Sequence, residues 1–206
     1  MGTRTAAAAP QQEAGRGRVR ERILEAGSRL FYADGVRAVS ADKVIAAAGV
    51  SKVTFYRHFP TKDDLAVAYL EAVADEERAL LDRLREGHGG DPVAALAALA
   101  EALGTVAGSA QFRGCAFVNA GAEHADAAHP VRRVVAEHRA RYACFFADVA
   151  RDAGADDPQA VAAELMMLRD GAMVCGDVDD SRAVAPRLAS AFTAVLAAHR
   201  GAAAGA

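Results

Sequence analysis

Tryptophan is absent from this chain of 206 residues, and aromatic residues make up only 6% of it. Runs of β-branched residues are also few, whereas alanine, the strongest helix former, is very abundant. No stretch shows the alternating pattern of a β-strand. The composition therefore predicts an all-α fold, and its 52% of hydrophobic residues are enough for a sizeable core.

Long apolar segments are lacking as well. No apolar run reaches the roughly 18 residues of a membrane span without a charge or a glycine. The N-terminal segment has no apolar core of the kind found in signal peptides, and Thr5 is misplaced for N-myristoylation. These features predict a cytoplasmic protein with no membrane partner.

Cysteine is scarce, since Cys115, Cys144 and Cys175 are the three in the chain. They lie far apart and form no CxxC motif, so a reduced compartment is expected rather than a disulfide framework. All three have apolar neighbours in the sequence, where cysteine usually behaves as a small hydrophobic side chain. We therefore expect packing rather than oxidant sensing, although an activated thiol would permit the latter.

Charge is distributed unevenly along the chain. Residues 1–64 carry eleven basic and seven acidic side chains, whereas the remaining residues carry thirteen and twenty. A basic segment joined to an acidic body indicates a polyanionic partner for the first part only.

The most informative stretch is SADKVIAAAGVSKVTFYRHFPTK, which begins at Ser40. Ser40 and Ser51 are each placed to cap a short helix, predicted over residues 41–48 and 52–58. Gly49 follows the first helix, at a position where positive φ costs glycine little. Two short helices joined by a tight glycine turn are typical of a helix-turn-helix motif.

The second helix of this motif carries hydrogen-bond donors suited to phosphates or base edges. These donors are Lys52, Thr54, Tyr56, Arg57 and His58. Together with the basic balance of the same region, they predict binding of double-stranded DNA.

The predicted domain organisation follows from the apolar periodicity and the glycine and proline breaks. Residues 1–17 are expected to be a flexible arm, and residues 18–64 a three-helix domain containing the helix-turn-helix. Residues 65–200 are expected to form a larger helical domain, and residues 201–206 a flexible tail. About nine helices are expected in total.

The segment VSKVTFYRHFPTKDDL, preceded by VSADKVIAAAG, resembles the DNA-binding region of the TetR family of bacterial transcriptional regulators. The resemblance is specific over residues 18–70, and beyond them the general plan of nine helices agrees. It implies a head that binds operator DNA and a body that binds a small molecule. It also implies a homodimer formed through the last two helices.

The same resemblance implies roles for individual residues of the motif. Lys62 matches a common phosphate-contacting lysine at a helix start, where anions are favoured. Val53 departs from the small residue that is usual there, and its methyl groups are suited to a thymine methyl. The predicted DNA-binding residues are Ser40, Lys43, Ser51, Lys52, Val53, Thr54, Tyr56, Arg57, His58 and Lys62.

The second domain mixes apolar residues with isolated polar ones, as ligand pockets do. The candidate ligand-binding residues are Phe112, Cys115, Phe117, Asn119, His138, Tyr142, Phe145, Met166, Met167, Asp170 and Met173. Core packing is the alternative for each of them. The helix containing Met166 and Met167 is apolar around much of its circumference, which suggests a symmetric partner.

Metal binding and catalysis find less support. Glu123, His124, Asp126 and His129 crowd a predicted loop, but without a recognised metal-ligand spacing. We predict a solvated loop, no metal and no cofactor. No nucleophile is spaced with a base, so an enzyme is not expected.

These observations lead to one functional prediction with two alternatives. We predict a regulator that represses transcription from a palindromic operator and is released by an unidentified small-molecule effector. An activator is one alternative, and a DNA-binding regulator that responds to a protein partner is the other.

Overall fold

The structure is a computed structural model that describes the backbone of residues 8–199 and the side chains of residues 15–199. Within this part the chain forms nine α-helices and one short 3-10 turn, which confirms the predicted all-α fold. The helices are α1 (Ala8–Asp34), α2 (Ala41–Ala48), α3 (Lys52–His58), α4 (Lys62–Gly87), α5 (Pro92–Ala107), α6 (Ala116–Glu123), α7 (Pro130–Asp152), α8 (Pro158–Val178) and α9 (Val184–Ala198). No helix among the described residues is long and apolar enough to cross a lipid bilayer.

Helix α1 begins earlier than the sequence suggested. A flexible arm was expected over residues 1–17, but α1 already starts at Ala8. The alanine-rich segment favours helix more strongly than its polar residues and glycines oppose it. The flexibility predicted for residues 1–7 and 201–206 concerns segments outside the described range.

Proline and aspartate set where several later helices begin. Pro92, Pro130 and Pro158 each lie in the first turn of a helix, where the missing N–H has no cost. The carboxylates of Asp91 and Asp157 accept backbone N–H bonds of 2.9–3.1 Å from the turns that follow them. These local signals explain why α5, α7 and α8 begin at these residues.

The chain divides into two compact units, Met1–Glu71 and Ala72–Ala206. The sequence placed this boundary after residue 64, so the structural division lies about two turns further along α4. In the first unit, Leu65 of α4 is fully buried, and it packs against Gly27 of α1. A Cβ atom at Gly27 would lie 2.8 Å from Leu65, so glycine permits this close approach.

The second unit is built around close helix pairs, chiefly α5 with α9 and α7 with α8. Small residues allow the helices to approach, since a Cβ atom at Gly104 would lie 2.6 Å from the Cβ atom of Ala185. A column of rings fills the interior, with Phe146 lying 5.9 Å from Tyr142 and 5.7 Å from Phe192 between ring centroids.

The cysteines are placed differently from what was expected. Cys115 is buried, but Cys144 and Cys175 are exposed. Both thiols lie on the outer faces of α7 and α8, although the buried residues Phe145 and Gly176 stand next to them in the sequence. Of the three, Cys115 alone is buried, and its sulfur accepts a hydrogen bond from the Arg169 guanidinium.

Candidate nucleic-acid interface and buried polar cluster

The turn between α2 and α3 is held by the caps that the sequence indicated. The hydroxyl of Ser40 accepts a bond of 3.2 Å from the backbone N–H of Lys43, and that of Ser51 accepts one of 3.1 Å from Thr54. Gly49 has a φ of +61°, a left-handed conformation that favours glycine. Both serine hydroxyls are thus engaged in the scaffold of the motif, which fixes the direction of α3.

Helix α3 presents one face outwards and buries the other. Phe55 is completely buried and anchors the helix, whereas Lys52, Val53 and Arg57 are exposed. Val53 is 78% exposed, so its side chain belongs to the outer face of α3 and not to the small core of the first unit. The Tyr56 ring lies edge-on to Phe55, with centroids 5.1 Å apart, which orients it on the outer face.

Three predicted DNA-binding residues already have partners within the first unit. The Lys43 ammonium pairs with Asp34 at 2.6 Å, and the Thr54 hydroxyl lies 2.9 Å from that of Ser51. Lys52 reaches Asp42 at 3.4 Å, but both side chains are largely exposed, so this pair contributes little to stability.

Lys62 has a structural role that the sequence did not reveal. Its half-buried ammonium donates hydrogen bonds of 2.8 Å to the carbonyl of Val36 and 3.1 Å to that of Val39. The lysine therefore ties the loop after α1 to the start of α4. Its phosphate contact stays a prediction, and a substitution of Lys62 would also remove these two hydrogen bonds.

His58 lies at the end of α3 beside several arginines. Burial lowers its pKa from the ordinary 6.5, and the charges of Arg57, Arg16 and Arg20 lower the pKa further. The ring is therefore neutral at neutral pH. Because the unfolded state binds the proton more readily, the stability that depends on His58 is complete above pH 6.5 and declines as the pH falls below it.

The second unit contains a buried cluster centred on Arg169 of α8, which is only 2% exposed. Its guanidinium donates to the Cys115 sulfur and to the Asp170 carboxylate at 3.1 Å each, and to Glu77 at 3.4 Å. The Tyr142 ring lies beneath the guanidinium, 4.7 Å from its central carbon. A buried charge of this kind must be compensated by its neighbours, and these contacts provide that compensation.

His138 of α7 completes the cluster. Its Nε2 atom lies 2.9 Å from the Glu77 carboxylate, and its ring stacks on Phe117 with centroids 3.5 Å apart. Burial alone would raise the pKa of Glu77, but the hydrogen bond from His138 and the charge of Arg169 outweigh it and lower the pKa. Glu77 is thus held as a carboxylate that joins α4 to α7 and α8.

Polar atoms in this cluster remain without hydrogen-bond partners although they are buried. They are Nδ1 of His138, Nε of Arg169 and the Tyr142 hydroxyl. Burial raises the pKa of Tyr142, and the nearby Glu77 charge raises that pKa further, so the phenol stays protonated. Unpaired buried polar atoms are costly in an otherwise satisfied core, and a bound water or ion is one explanation for them.

The predicted ligand-binding residues divide among several environments. Cys115, His138 and Tyr142 belong to the cluster, whereas Phe145 and Met173 are buried core residues. A cleft of about 540 Å³ between α6, α7 and α8 is lined in part by Phe117 and Asp170. A second open cleft, of about 500 Å³, is lined in part by Met166 and Met167.

Two further candidates have local roles. The Asn119 side chain donates to the carbonyl of Arg113 at 2.7 Å, and half-buried Phe112 packs against Gly176. In the loop where a metal was considered, His124 Nδ1 lies 2.7 Å from the Ala120 carbonyl, and His129 accepts the N–H of Val131 at the start of α7. These two histidines therefore serve the ends of helices.

Sequence reasoning missed Arg169 and Glu77, the central pair of the cluster. A signal for Arg169 was present, because it lies four residues after Leu165 and four before Met173 on the buried stripe of α8. A charge at such a position indicates a buried polar site. Glu77 gave no comparable signal, because it lies in the run DEER among other charges.

The chain is similar to known proteins in both sequence and fold. Residues 23–69 match the family model of bacterial regulatory proteins of the tetR family. A TetR-family transcriptional regulator from Streptomyces coelicolor is 37% identical, with a TM-score of 0.84 over 89% of this chain and 96% of that one. A protein described as a TetR-type transcriptional regulator from Streptomyces avermitilis is 31% identical, with a TM-score of 0.74 over 86% of this chain and 97% of that one.

A more distant likeness concerns the fold alone. The reduced form of NemR from Escherichia coli is 22% identical, with a TM-score of 0.70 over 86% of this chain and 95% of that one. A comparison with curated protein sequences gave no match.

Proposed function

Because the chain belongs to the TetR family of bacterial transcriptional regulators, we propose that it is a repressor that binds a palindromic operator as a homodimer. We further propose that a small molecule bound in the second unit releases it from the operator. Release requires that the small molecule bind the DNA-incompetent state more tightly than the competent one.

The outward face of α3 carries the DNA-binding part of the proposal. Lys52, Val53, Tyr56 and Arg57 lie side by side and exposed on a helix that two serine caps and a glycine turn hold in place. Cations and a phenol suit phosphates and base edges, and the Val53 methyl groups suit a thymine methyl. Arg16 and Arg20, whose charges act on His58, extend the basic surface towards α1.

Selection of operator sequences from a random DNA library by the full-length protein tests this function. A palindrome with half-sites about one helical turn apart is expected for a dimeric helix-turn-helix protein. Binding should weaken as salt rises, because phosphate contacts release counterions. Enrichment of no sequence, or of a single unrepeated half-site, would contradict the proposal.

The contribution of α3 can be measured with a matched pair of arginine variants. Arg57→Ala is expected to weaken operator binding by about tenfold and to reduce the salt slope by about one, because one phosphate contact is lost. Arg29→Ala removes the same group from α1, where it is exposed and pairs with Glu25, and should bind almost as the parent does. Fluorescence anisotropy on the selected operator measures both. If both variants lost the same operator affinity, the assignment of α3 as the DNA-binding helix would be wrong.

An exposed apolar stripe on α8 supports the proposed dimer. Met167, Gly171, Val174 and Val178 follow one another at intervals of four, three and four residues, and Met167 is 67% exposed. Beside the stripe lies a groove of about 260 Å³ between α8 and α9, lined in part by Leu188. Exposed apolar patches of this kind commonly mark protein interfaces. Met167 therefore fits a dimer contact better than the ligand contact predicted for it.

A glutamate placed on this stripe tests the dimer. Val174→Glu would bury two like charges in a symmetric interface, so the dimer dissociation constant is expected to rise by about tenfold or more. The matched control is Val106→Glu on α5, since Val106 and Val174 are 54% and 55% exposed. Analytical ultracentrifugation of both variants measures the effect. A Val174→Glu protein that dimerises as the parent does would place the interface elsewhere.

A further inference from the structure

The nitrogen atoms of the Arg169 guanidinium differ in how many hydrogen-bond partners they have. Nη1 donates to Cys115 and Asp170 at 3.1 Å each. Nη2 has only the 3.4 Å contact with Glu77, and Nε is buried without a partner. Nε and Nη2 point their N–H groups in parallel along one edge of the guanidinium plane. Such an edge matches the two oxygens of a carboxylate, which accepts both bonds at once.

The surroundings of this edge suit a small organic anion. Nδ1 of His138 and the Tyr142 hydroxyl are also buried without partners, so further polar atoms are present for a bound molecule. Phe117 stacks on His138 and Asp170 bonds to Arg169, and both residues also line the cleft of about 540 Å³. The cleft is therefore adjacent to the cluster, and its volume lies in the range of small-molecule sites.

We propose that the effector is a small monocarboxylate with an apolar body, whose carboxylate binds the Nε–Nη2 edge of Arg169. The apolar body lies towards the cleft, where Phe117 and Val135 provide apolar walls. This assignment rests on the proposed function, namely that the second unit takes a small-molecule effector.

An incoming carboxylate competes with Glu77 for the same edge. The hydrogen bond to Glu77 is the longest that Arg169 donates, at 3.4 Å, so it is the one most easily replaced. Two carboxylates at one guanidinium also repel each other. Binding therefore loosens the contact that joins α4 to α8, and α4 is the helix that continues into the first unit.

Isothermal titration calorimetry on the full-length protein tests the ligand class. The probes are benzoate and hexanoate, each compared with its amide, in a buffer free of other carboxylates. At least one acid is expected to bind about tenfold more tightly than its amide, because the amide carries no negative charge to pair with the Nε–Nη2 edge of Arg169. If neither acid binds better than its amide, the proposal is overturned.

Substitutions test whether Arg169 is the residue that binds the carboxylate. Arg169→Lys keeps the charge but lacks the fork, so binding of the acid should weaken by about tenfold, whereas Arg133→Lys on the exposed side of α7 should leave it unchanged. Glu77→Gln removes the competing negative charge, so binding of the acid should tighten several-fold. This second variant tests the proposal even if the Arg169→Lys protein does not fold. Binding that is weakened by Arg139→Lys but not by Arg169→Lys would overturn the assignment.

Operator release is measured separately by fluorescence anisotropy. If an acid binds as described but leaves the operator complex intact, the ligand class holds and the proposed mechanism of release fails. If a neutral compound releases the operator while neither acid does, ligand-controlled release holds and the carboxylate proposal is overturned.

Discussion

Replacing Glu77 by alanine is expected to lower the free energy of unfolding of the second unit by about 2 kcal/mol. The substitution removes the carboxylate that faces Arg169 and leaves the Nε2 atom of His138 without its partner. Removing one member of a fully buried pair costs more, but Glu77 is 25% exposed and Asp170 still compensates Arg169. Urea unfolding followed by circular dichroism measures the change.

The matched control for this variant is its neighbour on the same helix. Glu76 is exposed, and Glu76→Ala should change the free energy of unfolding by less than about 0.5 kcal/mol. Adding Arg169→Met to Glu77→Ala should restore part of the loss, because the uncompensated charge is then gone. A Glu77→Ala protein as stable as the parent would mean that the cluster does not hold α4 to α7 and α8.

The pH dependence of the same variant follows from the lowered pKa of Glu77. A carboxyl group whose pKa is lower in the folded state contributes its full stability above its unfolded value, here about 4.5, and loses it as the pH falls through the folded value. The difference between parent and Glu77→Ala should therefore be constant from neutral pH down to about 4.5 and narrow below it. A difference that widens in acid would contradict the assigned charge.

The first unit could be predicted in some detail, because its signals are local. Ser40, Gly49 and Ser51 specify caps and a turn through their own side chains or φ angles, and such features require only neighbouring residues. The role of Lys62 was missed because its partners, Val36 and Val39, lie more than twenty residues away in the sequence. A lysine that bonds to backbone carbonyls leaves no pattern in the side chains around it.

The second unit was predictable in its helices but less so in its site. His138 and Tyr142 stood out because a polar group interrupts an apolar stripe of α7. Their contacts depend on how α4, α6 and α8 pack against α7. The spacing of apolar residues in the sequence does not specify that packing. Cys115 and Asp170 were predicted to touch a ligand, which stays a prediction, and the structure shows that both accept hydrogen bonds from Nη1 of Arg169.

Gly104→Ala is expected to destabilise the second unit by about 2 kcal/mol, because α5 and α9 approach too closely for a side chain. The new Cβ atom would lie 2.6 Å from the Cβ atom of Ala185 and 3.1 Å from its backbone nitrogen. A backbone atom cannot turn aside as the end of a long side chain can, so one helix must shift. The clash should therefore outweigh the gain of about 1 kcal/mol that alanine brings to a helix interior.

Gly87→Ala provides the matched control, since a Cβ atom at that position of α4 meets nothing within 4 Å. Its free energy of unfolding should stay within about 0.5 kcal/mol of the parent. Combining Gly104→Ala with Ala185→Gly removes the Cβ–Cβ contact but keeps the backbone contact, so only part of the loss should return. If the Gly104→Ala protein were as stable as the Gly87→Ala protein, α5 and α9 could not approach each other as closely as the structure shows.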